Sequence, residues 1–403
     1  MNDFGTDRWQ LPDGVNELLP AATARVEQLR RRIIDRCQAW GFDFVMPPLI
    51  EYIDSLLTGT GETLDLQTFK LVDQNNGRTL GIRADMTPQV ARIDAHAMRC
   101  ELPNRLFYTG SVVKARSDGA GGCRTPFQFG AELFGHAGEA SDIEIIRLML
   151  DTILLADIKP QDLLLDLGHV GVFAALADAS NLAPAIVDSI FAALQTGSVP
   201  ELEALLAPID NNPATRCLAK LPTLRGDAAV IEKARTDLEL TSGVSSALSR
   251  LDKVIAAIQQ THPDVNIHVD LSELRGYRYH TGMLFGLYDM AGKELARGGR
   301  YDDIGEAFGR SRPATGFSGD LVRLAESGAD SGATSADATL VTGIFVEASA
   351  ATDAWSTIKS LRDAGERVVV ALPGSGESAQ LSACNRTLVK LDDRWTVQSI
   401  TPL

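Results

Sequence analysis

The sequence predicts an α+β fold in which helices flank an antiparallel sheet and a helical segment interrupts that sheet. Three observations support this prediction: a helical period near the N-terminus, paired strand-like segments around turn residues, and an Ala- and Leu-rich stretch between two groups of strands. With 403 residues, the chain exceeds what one hydrophobic core usually organises, so two or three domains are expected.

The first predicted element is an amphipathic helix over residues 21–40. Its apolar residues recur with a period of 3.6 residues, namely Val26, Leu29, Ile33, Cys37 and Trp40. Gly41 ends the helix, and residues 42–45 form a strand that stops at Pro47. The next prediction is a hairpin in which residues 69–72 and 79–82 flank a turn.

A second strand pair is predicted at residues 106–113 and 127–134, on either side of a glycine-rich loop. Ser141 and Glu144 have the spacing of a capping box, which predicts that a helix opens there and buries residues 145–156. The near-continuous apolar residues of that helix indicate burial.

A further strand at residues 163–167 precedes the Ala- and Leu-rich stretch, which has helical spacing. The sheet resumes with the alternating strand 265–271 and with residues 283–288 and 294–297, which flank a turn. Residues 339–372 suggest a β-α-β unit. The predicted domains are a sheet core, a helical insertion, a linker and a small truncated α/β module, at residues 1–169 with 261–325, 170–260, 326–337 and 338–403.

Composition narrows the class of protein. Lys and Arg total 38 against 53 Asp and Glu, so the net charge of −15 opposes the approach of a polyanion such as tRNA. The five cysteines lack CxxC spacing, which favours reduced thiols in the cytoplasm and argues against a metal site. No segment is apolar for long enough to span a membrane. We therefore expect a cytoplasmic protein without a metal or cofactor.

Four segments stand out by residue type and order: Gly41-Phe42 with Pro47 and Glu51, then residues 83–87, 107–135 and 274–282. Together they resemble the catalytic domain of class II aminoacyl-tRNA synthetases, in the histidyl-tRNA synthetase branch. The resemblance runs from Leu11 to Arg323 and implies the fold of that family. Its first segment resembles the family's dimerisation motif, so a homodimer through residues 21–48 is expected.

Two of these segments resemble walls of the family's histidine pocket. Asp85 and Thr87 lie where the family receives the amino group of histidine, and a carboxylate suits an ammonium group because a charge-assisted hydrogen bond is strong. Gln128 and Glu132 are four residues apart, so both face the same side of an extended strand. The alternatives are a helix cap at Asp85 and a polar surface face on the strand.

The segment 274–282 (LRGYRYHTG) resembles the histidine-specific signature of the family. The resemblance implies that Arg275 contacts the ligand carboxylate and that Tyr279 closes over the imidazole. Arg278 and His280 depart from the family pattern, which has Asp and Tyr there, so contacts with the ring are expected to differ. Alternatively, His280 is an ordinary buried histidine with satisfied hydrogen bonds.

The nucleotide half of the resemblance is incomplete. Lys114 and Arg116 replace an Arg and a Glu of the family, and the loop 119–122 lacks a phosphate-binding arginine, with Arg124 just beyond it. Lys cannot reproduce the bidentate fork of Arg. Asp320 replaces a glycine next to the site of adenine, although the terminal Arg323 of that motif is retained. We therefore expect no activation of an amino acid with ATP.

Residues 87–92 (TPQVAR) resemble the regulatory-subunit branch of the family, the regulatory subunits of ATP phosphoribosyltransferase, more closely than the synthetases. That resemblance implies a non-catalytic chain that activates a short catalytic subunit and mediates feedback inhibition by histidine, at the first step of histidine biosynthesis. It also implies a homodimer within a hetero-oligomer, expected to be a hetero-octamer, that does not use tRNA. The alternatives are a divergent active histidyl-tRNA synthetase and a synthetase-like binder of another ligand.

Overall fold

The structure is a computed structural model that describes residues 10–59, 62–99, 101–117, 122–209, 212–238, 241–277, 279–330 and 343–400. It forms two compact units, Met1–Ser331 and Gly332–Leu403. Arg278, Cys100, most of the predicted loop 119–122 and most of the predicted linker lie outside the described residues. Among the helices described, none is both long and apolar enough to cross a membrane.

The first unit combines helices with short strands. Its helices are α1 (Pro20–Ala39), α2 (Ile53–Leu56), α3 (Glu62–Gln67), α4 (Thr87–Arg92), α5 (Glu139–Ile153), α6 (Val170–Ser180), α7 (Pro184–Gln195), α8 (Val199–Leu206), α9 (Pro213–Lys220), α10 (Val230–Asp237), α11 (Ser242–Thr261) and α12 (Leu321–Asp330). Its strands are β1 (Asp43–Phe44), β2 (Ile50–Tyr52), β3 (Phe69–Val72), β4 (Thr79–Ile82), β5 (Asn104–Ser111), β6 (Phe127–Phe134), β7 (Leu163–His169), β8 (Arg225–Gly226), β9 (Asn266–Asp270), β10 (Met283–Asp289), β11 (Glu294–Arg300) and β12 (Ala314–Asp320).

A nine-stranded sheet in the order β1-β5-β6-β12-β11-β10-β7-β9-β8 forms the centre of this unit. Most neighbouring strands run antiparallel, as predicted, but β1 pairs with β5 and β7 with β9 in parallel. A parallel pair needs a long crossover, and the helical insertion supplies it between β7 and β9. The predicted α+β class is confirmed, and the sheet is mixed.

The hydrophobic core lies between this sheet and the helices. The apolar stripe of α1 contributes Val26, Leu29, Ile33 and Cys37 to it, and α5 is buried along most of its length. The predicted hairpin is confirmed as β3 and β4, which join β2 in a separate three-stranded sheet.

The predicted capping box is wrong, because α5 begins earlier, at Glu139 after Gly138. Ser141 lies inside the first turn of the helix and is only 2% exposed, and its hydroxyl donates to the carbonyl oxygens of His136 and Gly138. Glu144 forms a salt bridge with Arg105. The hydroxyl of Ser141 also accepts a hydrogen bond from Nη2 of Arg300, so both side chains have tertiary partners that a local sequence pattern does not contain.

The helical insertion differs from the prediction in its content, and the predicted linker differs in where it begins. The insertion is not entirely helical, since β8 adds two residues to the edge of the large sheet. Helix α12 continues to Asp330, five residues into the predicted linker. The small residues there serve packing: Ser327 is buried, and a Cβ on Gly328 would collide with the backbone of Ala156.

The second unit has the strands β13 (Gly343–Val346), β14 (Arg367–Val370), β15 (Arg386–Leu391) and β16 (Arg394–Ser399), with helix α13 (Trp355–Asp363). The predicted β-α-β unit corresponds to β13, α13 and β14, whose two strands run parallel. The sequence prediction missed the hairpin of β15 and β16. Its signal was the Asp392-Asp393 turn, where both residues have positive φ, between two strand-like runs.

Candidate functional site

A cavity of about 580 Å³ opens over one face of the large sheet. All the predicted ligand residues except Gln128 line it: Asp85, Thr87, Glu132, Arg275, Tyr279 and His280. Across the sheet, Gly316 pairs with Glu132, Gly299 with Gly316, and Leu284 with both Gly299 and Gly168. Gly168, Gly299 and Gly316 form what we call the glycine floor of the cavity. Because they have no side chains, the side chains that line the cavity can pack directly against the backbone of the strands.

Glu132 is the most buried charged group of the cavity, with a relative exposure of 1%. Its carboxylate accepts hydrogen bonds from the hydroxyls of Tyr108, at 2.9 Å, and Thr87, at 3.0 Å, and it also contacts the hydroxyl of Tyr301. Burial raises the pKa of Glu132 well above its usual range, partly offset by these hydrogen bonds. A buried carboxylate that is held only by hydroxyls is prepared to receive a cation or an N–H donor.

Asp85 lies beside Glu132 at the start of α4. Its Oδ1 atom accepts from the backbone N–H of Thr87, at 3.0 Å, and from Nε2 of Gln128, at 2.8 Å. The Oε1 atom of Gln128 accepts in turn from the N–H of Met86. Gln128 therefore orients Asp85 instead of lining the cavity, and Asp85 both caps the helix and faces the cavity.

Arg275 lies on a loop between β9 and β10, close to an unpredicted carboxylate. Its Nε donates to Glu273 at 2.9 Å, and its Nη2 donates to the hydroxyl of Tyr288 at 2.7 Å. The hydrogen bond to Glu273 is the main cause that raises the pKa of Arg275 above its usual value. Tyr279 is 38% exposed at the rim of the cavity.

The same loop is anchored to the helical insertion. The ring of Tyr277 packs against Phe173 of α6 and Phe191 of α7, with both centroid distances at 5.2 Å. At the end of α7, Gln195 reaches the wall of the cavity. The insertion is therefore part of the site, which the sequence did not indicate.

His280 combines the two roles that the sequence left open. Its Nδ1 lies 3.1 Å from the carbonyl oxygen of Gly276, and burial lowers its pKa to about 4. A neutral ring whose Nδ1–H donates to that carbonyl keeps Nε2 as an acceptor. His280 is thus a buried histidine with a satisfied hydrogen bond, and it also lines the cavity beside Tyr301.

Among the described residues that resemble the nucleotide half of the family, none of the charged ones lines this cavity: Lys114, Arg116, Arg124, Asp320 and Arg323. The guanidinium of Arg124 donates to the backbone carbonyl oxygens of Lys114 and Asp13, so it links its own loop to the N-terminal segment. Asp320 accepts from the N–H of Val322 in the first turn of α12. Two of the three guanidinium nitrogens of Arg124 are therefore already engaged, and Asp320 is a carboxylate, which repels a phosphate.

Sequence reasoning missed Tyr108, Glu273 and Tyr288, and it assigned no role to Tyr301. The signal for Tyr301 was present, because it follows the Gly-Gly-Arg run that ends β11. Glu273 had a weaker signal, two residues before Arg275. Tyr108 had none, since it is one aromatic residue among several on a buried strand.

The nine-stranded mixed sheet with helices packed against it, and the cavity that holds the predicted ligand residues, agree with a class II synthetase-like protein. Comparison with known proteins agrees, because the family model described as histidyl-tRNA synthetase matches residues 14–324. A second family model, the C-terminal domain of the HisZ subunit of ATP phosphoribosyltransferase, matches residues 341–398.

Three relatives make the assignment more specific. The ATP phosphoribosyltransferase regulatory subunit of Thioalkalivibrio sulfidiphilus is 47% identical, over 98% of this chain and 99% of its own length. That of Alkalilimnicola ehrlichii is 49% identical over 96% of each chain. A solved ATP phosphoribosyltransferase regulatory subunit/histidyl-tRNA synthetase from Bacillus halodurans is 26% identical, with a TM-score of 0.80 over 95% of this chain and 98% of that one.

The chain therefore belongs to the ATP phosphoribosyltransferase regulatory subunits, a histidyl-tRNA synthetase-like family. As a regulatory subunit it is the non-catalytic component of an enzyme of histidine biosynthesis. The predicted family, fold and absence of an enzymatic role are confirmed.

Proposed function

We propose that the cavity binds histidine and that bound histidine inhibits a short catalytic subunit with which this chain assembles and which it activates. The observation that supports this most directly is the placement of Asp85, Glu132 and Arg275 around one cavity. A zwitterion with an imidazole ring needs anionic partners for its ammonium group, a guanidinium for its carboxylate, and a polar partner at the ring. These residues supply all three.

The ligand's groups can be assigned to the walls. Asp85, oriented by Gln128, is available to the ammonium group together with the hydroxyl of Thr87. Arg275 takes the carboxylate. Glu132 and Nε2 of His280 are left for the ring, and Tyr279 covers it from the rim. Calorimetric titration of the purified chain tests this proposal, and the absence of histidine binding would remove it.

The homodimer that we propose uses residues close to β2. The apolar stripe of α1 lies in the chain's own core, so it is not available to a second copy. Three apolar side chains nearby are exposed: Met46 at 77%, Leu49 at 42% and Ile50 at 46%. Burying such a surface against its symmetry mate is the usual route to a two-fold dimer.

The remaining elements of the proposal are that this homodimer assembles with short catalytic subunits into a hetero-octamer, that tRNA is not a ligand, and that the assembly works in the cytoplasm. The net charge of −15 supports the second, and the third is supported by four described cysteines that form no disulfide, Cys37, Cys123, Cys217 and Cys384. Light scattering of the chain mixed with a short-form catalytic subunit tests the assembly.

A further inference from the structure

The guanidinium of Arg275, which the proposed function needs for the ligand's carboxylate, already has an internal carboxylate partner. Oε2 of Glu273 lies 2.9 Å from Nε and 2.8 Å from Nη2 of Arg275. The other oxygen of Glu273 accepts from the backbone N–H of Arg275 at 2.7 Å. Glu273 therefore occupies the edge of the guanidinium that carboxylates prefer for paired hydrogen bonds.

The other edge of Arg275 is only partly available. Nη2 also donates to the hydroxyl of Tyr288, and Nη1 lies 3.8 Å from Oε2 of Glu294. Around this end of the cavity, the carboxylates of Asp166, Glu273 and Glu294 therefore face the guanidiniums of Arg275 and Arg297. A ligand carboxylate that enters here meets a region whose positive charge is already compensated.

We infer that Glu273 competes internally with the ligand's carboxylate for Arg275 and thereby sets how strongly the pocket prefers carboxylated ligands. This inference rests on the proposed function, because it concerns the same histidine pocket. Either the incoming carboxylate displaces Glu273 from Nε and Nη2, or it binds at Nη1 and is repelled by Glu273 and Glu294. In both cases the negative charge of Glu273 weakens binding at the carboxylate end, whereas it attracts the ammonium group, which histidine shares with ligands that lack the carboxylate.

The test compares two ligands that differ only at this end. L-histidine carries a carboxylate, and L-histidinol has a hydroxymethyl group in its place. The variant Glu273→Gln removes the charge but keeps an oxygen that can accept from Arg275. We expect histidine to bind this variant about tenfold more tightly than wild type, equivalent to about 1.4 kcal/mol. Histidinol has no carboxylate to be repelled and keeps the ammonium group that Glu273 attracts, so it should bind the variant no more tightly than wild type.

Two further variants serve as controls, each with the same loss of one negative charge. Glu139→Gln lies outside the cavity, where Glu139 pairs with Lys253, and it should change neither affinity. Glu294→Gln should shift the histidine-to-histidinol ratio in the same direction but by only about threefold, because Glu294 is farther from Arg275. If circular dichroism shows that Glu273→Gln does not fold, the inference is tested by the ratio of histidine affinity to histidinol affinity in Glu294→Gln.

The direction in which Glu273→Gln changes the affinity for histidine relative to histidinol shows whether Glu273 competes with the ligand or positions Arg275. If Glu273 chiefly holds Arg275 in place, Glu273→Gln will weaken histidine more than histidinol, and the inference is overturned. An unchanged ratio overturns it as well. Failure of the wild-type chain to bind histidine would count against the proposed function itself. If wild type binds histidine but Glu273→Gln leaves the ratio of histidine affinity to histidinol affinity unchanged, only the role of Glu273 is refuted.

Discussion

Replacement of Glu132 by Gln tests the pocket at its most buried charge. The carboxylate is 1% exposed and accepts from Tyr108 and Thr87 at 2.9 and 3.0 Å. Gln has nearly the same size and still accepts from hydroxyls, but it offers no charge to the ligand. Losing one charge-assisted partner costs about 1.5–3 kcal/mol, so we expect the Kd for histidine to rise by about 10- to 150-fold.

The same substitution should stabilise the empty chain at neutral pH. Burial raises the pKa of Glu132 above the ordinary value of 4.5, so ionisation is unfavourable in the folded state. The carboxyl therefore contributes stability that is fully present below pH 4.5 and is lost as the pH rises through the raised pKa of the folded state. Gln does not titrate, so the free energy of unfolding of the variant should rise relative to that of wild type as the pH increases.

Calorimetric titration with histidine measures the first effect, and urea unfolding at pH 5 and pH 8 measures the second. Glu139→Gln is the matched control, since it removes a charge from an exposed pair with Lys253. Equal histidine affinity in wild type and Glu132→Gln would mean that the ligand does not contact this carboxyl. A stability difference that stays constant between the two pH values would refute the argument from burial.

Three further outcomes are expected. The purified chain should show no histidine-dependent pyrophosphate exchange, because Arg124 is engaged by backbone oxygens; exchange near 1 per second, the low end of ordinary turnover, would contradict this. Ile50→Asp should convert the dimer to a monomer in light scattering, since it charges an exposed apolar surface, and an intact dimer would place the interface elsewhere. Addition of the chain to a short-form catalytic subunit should form a complex and raise turnover; no complex at micromolar concentration, weaker than about −8 kcal/mol, would argue against partnership.

Local patterns predicted much of the fold and part of the site. The hairpin of β3 and β4 and the strand β6 followed from alternation and turn residues, which act over a few neighbours. The placement of Asp85 and Glu132 followed from the resemblance of their segments to a known family. Both kinds of signal are contained in short stretches of chain.

The hydroxyl groups around Glu132 could not be found in this way. Tyr108 is 24 residues away in sequence and Tyr301 is 169 residues away, and only the strand order brings them together. Ser141, which was predicted to cap a helix, instead accepts a hydrogen bond from Arg300, 159 residues away, and Ser327 is buried within a helix in spite of a linker-like composition. These features depend on non-local packing, which no periodicity records.

The glycine floor makes the site depend on positions that have no side chain. A Cβ on Gly299 would lie 2.6 Å from Nε2 of His280, and one on Gly316 would lie 2.6 Å from the hydroxyl of Tyr301 while colliding with Glu132. Even substitution of either glycine by alanine would displace the side chains of His280, Tyr301 and Glu132 and reduce the volume of the cavity. Saturation mutagenesis of this protein should therefore show that Gly299 and Gly316 tolerate substitution as poorly as the charged residues that line the cavity. Related chains could change their ligand by substitutions at the glycine floor instead of at the residues that contact the ligand.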